Sequence, residues 1–313
     1  MMITPNLCSL NILLADDGSK HSQAAVHLLG DLPLDEESQI KALRVFTPSD
    51  TANVWVLEKA LEITKEKLEK MGKQVESELV LGHPAEKIIE VAERHDAGMI
   101  VIGAKGLRAT LGILLGGVVQ QVAEHAERPV MVVRAPYAGL KRVLLTADGS
   151  EESKQMLHCM GTFPLPSGVE FEVLHIAPPI PSEQEIVQYW PSGLDVSFTV
   201  PVEEIKQQIQ ERAETEEIFG KRVLTEAREN LAEQGIKAQI AFLRGDAATE
   251  IIQYAEDHDI DLIVSGGRGL GPIRSWILGS VSRKLLHYAP CSVMVVKNKK
   301  GDSLGYNRGY VGD

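Results

Sequence analysis

Cysteine is scarce in this 313-residue chain: Cys8, Cys159 and Cys291 stand far apart. There is no C-x-x-C pair and no histidine at metal-ligand spacing, which argues against a disulfide framework and against a zinc site held by side chains. Basic blocks are lacking as well. With 44 acidic against 32 basic residues the formal net charge is -12, and nucleic-acid affinity, which draws on clustered Lys and Arg, is not expected. No apolar run approaches the roughly 20 residues of a membrane-spanning helix. The start, "MMITPNLCSLNILLADDGSK", shows neither the basic flank nor the small-residue cleavage site of a secretory signal. The expectation is a cytoplasmic protein with no membrane and no nucleic acid among its partners. A G-x-x-x-x-G-K-[ST] phosphate loop and the kinase signatures are also missing, so the lysine and magnesium-binding hydroxyl of those mechanisms are not supplied.

What is present is a repeat. "LNILLADDGSKHSQAA" near the start matches "KRVLLTADGSEESKQM" from Lys141, each an apolar run that ends in Asp-Gly-Ser before a helical pattern. Further on, "AEKIIEVAERHDAGMIVIGAKGL" matches "ATEIIQYAEDHDIDLIVSGGRGL" at an offset of 163 (266 − 103 for the paired Gly103 and Gly266), and the match continues without a gap through "RPVMVVR" and "CSVMVVK". The Asp-Gly-Ser copies differ by only 131 (148 − 17), so the second half carries 32 extra residues (163 − 131) between its motifs. The halves read as domains at 1–137 and 138–298, with an insert near 177–210 and a flexible, Gly-rich tail at 299–313. The insert reads as an extended excursion followed by a lengthened surface helix, with a lid or partner-binding arm as the alternative.

Within each half, short continuous apolar runs alternate with helical patterns. In the second half they are "RVLLTA", "EFEVLHIA", "KAQIAFLRG", "LIVSGG" and "SVMVVK". Runs apolar on both faces and separated by helices specify a parallel sheet covered on both sides, so the fold expected is α/β, a doubly wound five-stranded parallel sheet, twice over.

In such sheets ligands bind at the carboxyl ends of the strands, where the strand order reverses. Asp17 and Asp148 end the first strand of their halves, and the glycine loops end the fourth. Gly266, Gly267 and Gly269 permit close backbone approach to a phosphate. After nine intervening residues, Gly279 and Ser280 open the helix "SVSRKLLHYA", where Ser280 and Ser282 add hydroxyls to free first-turn N–H groups. A tight strand-to-helix turn would also select glycine on steric grounds, and Asp-Gly-Ser would also suit a turn that caps the next helix. Lys105, Arg108, Arg268 and Arg274 lie in or near the loops, as phosphate partners or as solvated surface cations. His83, His175 and His287 stand near strand ends or helices, where packing or capping is the commoner role.

Strand-Asp-Gly-Ser, a distant G-x-x-G, nine residues, G-[ST] and a last V-x-V-V strand resemble the universal stress protein family in its tandem form, from about Asn11 to Lys297. The resemblance implies a Rossmann-like, nucleotide α-hydrolase-like fold. Its two halves pair through their last strands as an internal pseudo-dimer, and a further homodimer is left open. It also implies an ATP-binding or other adenine-nucleotide-binding regulator of stress responses, with or without Mg2+ and not an enzyme. On that resemblance Thr146, Asp148, His175 and Ile176 lie beside adenine or ribose. Gly266, Gly267 and Gly269 pass the ribose and phosphates, with Arg268 a candidate phosphate partner inside that loop, and Gly279, Ser280, Val281 and Ser282 hold the phosphate tail. The matching first-half positions are Ala15, Asp17, Val45, Gly103, Ala104, Gly106, Gly116 and Gly117. Here the chain departs from the pattern: Gly117 replaces the Ser or Thr, and Val119 stands where the second half has Ser282. Unequal sites are expected, with the second half the better one. Two alternatives remain: a scaffold that binds no nucleotide and acts through protein contacts, and a slow ATP hydrolase.

Overall fold

The computed structural model describes residues 10–106, 115–182, 202–267 and 278–297. The first half runs β1 (Ile12–Ala15), α1 (Lys20–Asp31), β2 (Gln39–Phe46), a 3-10 turn (Pro48–Asn53), α2 (Val54–Lys70), β3 (Gln74–Leu81), α3 (Pro84–Arg94), β4 (Met99–Gly103), α4 (Gly117–His125) and β5 (Val130–Val133). The second repeats the order: β6 (Arg142–Thr146), α5 (Glu151–Thr162), β7 (Glu170–Ala177), α6 (Val202–Glu233), β8 (Ala238–Arg244), α7 (Ala247–Asp257), β9 (Leu262–Gly266), α8 (Ser280–Tyr288) and β10 (Ser292–Val296). None of these helices is long and apolar enough to cross a membrane.

All ten strands form one sheet in the order β3-β2-β1-β4-β5-β10-β9-β6-β7-β8. Neighbours within each half are parallel. The halves join where β5 and β10 run antiparallel, with Val132 opposite Val293 and Met131 opposite Met294. Thus the paired last strands expected from the resemblance are present inside a single chain. The central strands are Val- and Ile-rich and buried on both faces, while the edge strands β3 and β8 are half exposed. That contrast follows from position, since only an edge strand has an unpaired side to expose.

Alternation sorts the side chains into two cores. Leu14, Met131, Val133, Leu145 and Met294 face α1, α2, α5 and α6, and each of the two cores spans the seam. On the opposite face Leu13, Ile100, Val132, Ile263 and Val293 meet α3, α4, α7 and α8. Leu61 and Leu68 in α2, and their repeats Leu224 and Leu231 in α6, are buried at matching positions. The second-half helix is longer by 15 residues (32 − 17), so the charged pattern after the insert does extend the helix. Residues 183–201 and the 299–313 tail, with Cys8, lie outside the described residues.

Three helices that follow strands carry side-chain caps: Ser19 on α1, Ser150 on α5 and Asp246 on α7, each accepting a first-turn N–H. Such a cap is worth about 1 kcal/mol. Gly116 and Gly279 begin α4 and α8 without one.

Leu68 is fully buried while Ile63, on the same helix, is largely exposed. Leu68→Ala is expected to lower unfolding stability by about 2–5 kcal/mol, and Ile63→Ala by less than about 0.5 kcal/mol. Urea denaturation of both variants checks this.

Candidate functional site

The repeated motifs meet at the carboxyl ends of neighbouring strands, β1 with β4 and β6 with β9. In each half the Asp-Gly-Ser turn is shaped by the same bonds. Asp17 Oδ1 accepts from the Ser19 N–H at 3.0 Å, and Asp148 Oδ1 from the Ser150 N–H at 3.0 Å. The intervening Gly18 and Gly149 take φ of +77° and +84°, a region costly for any residue with a Cβ. The turn-forming role of Asp-Gly-Ser is therefore real. It uses one carboxylate oxygen of Asp148 and leaves Oδ2 with no bond from a described residue.

The glycine loops sit against these turns. A Cβ on Gly103 would lie 2.6 Å from the His21 carbonyl carbon and the Ser22 nitrogen, so the strand end can approach α1 only as glycine. The Gly116 N–H donates to Ala104 O at 2.9 Å, and at the equivalent positions the Gly279 N–H donates to Gly267 O at 2.8 Å. Each such bond folds the loop back so that the following helix opens beside the strand end. The sequence thus brings Gly266, Gly267, Gly279 and Ser280 together, with Ser280 exposed. Thr146, Asp148, Ile176 and Val281 are half-buried around the same strand ends. In the first half Ala15, Gly103 and Ala104 are buried, Val45 and Gly116 are half-buried, and Asp17, Gly106 and Gly117 are exposed. Arg108, Arg268, Gly269 and Arg274 lie outside the described residues.

Two expected site residues take other partners. Ser282 is buried, and its hydroxyl donates to Gly266 O at 2.7 Å. It ties α8 to the end of β9 and offers no hydroxyl outward in this geometry, so of the two serines Ser280 is the one that presents a hydroxyl at the helix opening. His175 is 5 % exposed, bonds the Ala147 carbonyl through Nδ1 at 2.7 Å, and stacks on Phe242 with ring centroids 5.9 Å apart. Phe219 of α6 meets it edge-on at 6.0 Å. This histidine packs α6 onto β7 and β8; His83 is exposed at the start of α3, and His287 occupies the last turn of α8.

The two crevices differ most where the motifs gave no warning. In the first half Asp16 replaces Ala147 and Arg44 replaces His175. Arg44 Nη2 donates to Asp16 Oδ2 at 2.6 Å, with the two side chains 7% and 2% exposed. Asp16 also accepts from the Gly18 N–H at 2.9 Å, the Thr64 hydroxyl at 2.9 Å and the Ser22 hydroxyl. A buried carboxylate is tolerable because every lone pair is used. Above this pair the Asp-Gly-Ser turn touches the start of the glycine loop: Ser19 Oγ donates to Lys105 O at 2.9 Å, and a Cβ on Gly106 would lie 2.6 Å from Asp17 Oδ2. Ser150 Oγ instead donates to Asp148 at 2.6 Å. The sequence signal is an acid directly after β1 and an arginine between Leu43 and Val45 in β2.

A Cβ added to Gly117 would meet no heavy atom of the described residues within 4 Å. Against the described residues its lack of a side chain is a chemical difference from Ser280 and meets no steric need. Among the described residues burial pushes the Cys159 thiol up to about 11 and the Cys291 thiol up to about 12, which keeps both protonated at neutral pH. His21, beside the first crevice, accepts the Ala135 N–H on Nδ1 at 2.9 Å. Burial, then Lys105 and Arg134, hold its pKa below the usual value.

Because the folded chain binds that proton less readily than the unfolded chain, His21's contribution is complete above about pH 6.5. It is lost as pH falls below that value, and His21→Gln should flatten the slope of urea midpoints measured between pH 5 and 8. Arg44→Met, which strands the Asp16 carboxylate, should cost about 3–5 kcal/mol. The double change Asp16→Ala with Arg44→His, which copies the second half, should cost less than Arg44→Met in the same denaturation assay.

Comparison with known proteins agrees with this architecture. The model of the universal stress protein family matches residues 10–134 and again 139–297. Universal stress protein YxiE of Bacillus subtilis (strain 168) is 28% identical over 159 residues, which cover 50% of this chain and 98% of that protein. A universal stress protein of Thermus aquaticus is 33% identical over 158 residues, with coverage of 50% and 98%. Universal stress protein Mb2028c of Mycobacterium bovis matches over 309 residues at 26% identity, covering 91% of this chain and 96% of its own. Among solved structures, a universal stress protein from Archaeoglobus fulgidus DSM 4304 superposes with a TM-score of 0.63 at 22% identity over 93% of this chain and 97% of that one, a likeness of fold. Two matches to one family model, a full-length relative and two halves of one topology lead to a single conclusion: this chain belongs to the universal stress protein family.

Proposed function

We propose that the second-half crevice binds an adenine nucleotide, ATP with or without Mg2+, and that its occupancy regulates what the protein contacts during stress. The observation that carries this reading is the opening of α8. Its N-cap, Gly279, supplies no side-chain acceptor for the first-turn N–H groups, Ser280 is exposed on that turn, and the Gly279–Gly267 bond sets the helix end beside the strand end. Unsatisfied N–H groups and the helix dipole favour a phosphate there. Asp148 sits at the same strand ends with an Oδ2 that no described residue bonds, suited to a ribose hydroxyl or a base amine. Thr146, Ile176 and Val281 supply half-buried contact beside it. Gly269 is assigned to this site by the family pattern, and Arg268, between Gly267 and Gly269 in the sequence, is proposed as a phosphate partner.

The first half is the weaker partner in this proposal. Gly117 gives no hydroxyl, and the Asp-Gly-Ser turn already touches the glycine loop through Ser19 and Asp17. A binding role is proposed and not a catalytic one, because His175 is committed to the Ala147 carbonyl and the aromatic stack. A scaffold acting through protein contacts is the second reading. It is favoured by Trp55 and Ile218, equivalent positions on α2 and α6 that are 70% and 71% exposed.

Calorimetric titration of the full chain with Mg·ATP should show one dominant site. A hydrogen bond to a charged group contributes about 1.5–3 kcal/mol, so Ser280→Ala should weaken binding about tenfold to a hundredfold. Gly117→Ser should strengthen a second, weaker event. No heat of binding at millimolar nucleotide would leave the scaffold reading in its place.

A further inference from the structure

The helices that open the two crevices are anchored at their other ends by the opposite half of the chain. Arg134, the residue after β5, donates through Nη2 to Leu286 O at 2.8 Å and His287 O at 3.1 Å, the last-turn carbonyls of α8. Lys297, the residue after β10, donates to Glu124 O and Ala126 O, both at 3.0 Å, at the end of α4. The two cations are repeats of each other at the offset of 163 (297 − 134), so the antiparallel seam exchanges one cap in each direction. The Arg134 N–H also donates to the buried Ser292 Oγ at 3.2 Å, which fixes the backbone from which the arginine reaches. Midway along α8, Arg283 lies 3.6 Å from Glu124 of α4. That pair is part exposed, and alone it would contribute little.

We infer that Arg134 is a positioning residue for the second-half nucleotide crevice, although it belongs to the first half, and that Lys297 does the same for the first-half crevice. The inference rests on the proposed function. Nine residues at 1.5 Å each make α8 a strut of about 13 Å, with Ser280 at one end and the guanidinium at the other. A cation at the carbonyl end complements the dipole that an anion meets at the N–H end, and it satisfies carbonyls that the helix leaves unpaired. The hydrogen bonds also fix where the helix lies relative to β9 and so where Gly279 and Ser280 sit. Each crevice is thereby complete only when both halves are paired.

The test uses the full chain titrated with Mg·ATP, alongside amide hydrogen exchange of the ligand-free protein. Arg134→Met should weaken nucleotide binding about three- to tenfold, at the upper range for a partly buried helix-end charge, and Arg134→Lys should recover most of it. Lys297→Met sits in the same seam, removes the ammonium and keeps the Cγ methylene that lies over Gly267, so it should leave the dominant affinity within about twofold of wild type. In exchange, Arg134→Met should speed α8 and spare α4, and Lys297→Met should do the reverse. If Arg134→Met does not fold, Arg134→Gln, which keeps a donor and loses the charge, takes its place with the same ordering. Unchanged affinity with Arg134→Met overturns the inference, as does an equal loss with Lys297→Met, which would mean general loosening of the seam. A wild-type chain that binds no Mg·ATP defeats the ligand reading and this inference with it, and exchange unaltered in α8 defeats the anchoring itself.

Discussion

The antiparallel pairing of β5 with β10 is the contact on which the rest depends. Without it each half would end in a strand such as "VMVV" with its hydrogen-bonding edge bare and both faces apolar, a surface that invites pairing with any other strand. By meeting its own repeat, each edge is satisfied inside one molecule. Two five-stranded sheets become one of ten, and both hydrophobic cores run unbroken across the seam. The same pairing carries Arg134 and Lys297 across to the ends of α8 and α4. Tandem duplication thus supplies more than two copies of a site, because each copy leans on the other.

Within this near-symmetric backbone the two crevices have taken different chemistry. The second keeps a half-buried Asp148, an exposed Ser280 and an aromatic layer of His175, Phe219 and Phe242 beneath α6. The first substitutes an ion pair, Asp16 with Arg44, braced by Thr64 and Ser22. These changes are compensated: a carboxylate at position 16 would be intolerable against the alanine and histidine pattern of the other half, and Arg44 would be equally stranded without it. In the first half that ion pair holds the turn, whereas among the described residues Asp148 is bonded through Oδ1 alone.

Much of this was legible in the sequence. Continuous Val- and Ile-rich runs ending in Asp-Gly-Ser or in glycine predicted buried parallel strands and the loops at their ends, and every second-half run read as a strand is one. The resemblance to the family implied that the last strands would pair, and they do. Less visible were features that depend on register or direction. Arg44 meets the residue after β1 only because β1 and β2 pair with Ala15 opposite Leu43. Ser282 reads as a phosphate hydroxyl until the helix phase turns it inward to Gly266. The crossed caps of Arg134 and Lys297 require the antiparallel sense of the seam, which no local pattern encodes.

The central claim is that one fold repeated in one chain holds one working nucleotide crevice, and that this is the second. A crystal structure of the full chain soaked in Mg·ATP tests it most directly. The account predicts triphosphate density against Gly279 and Ser280, with Asp148 beside the nucleoside and the Gly116–Gly117 turn at lower occupancy. Equal density in both crevices, or density beside Gly117 alone, would contradict it.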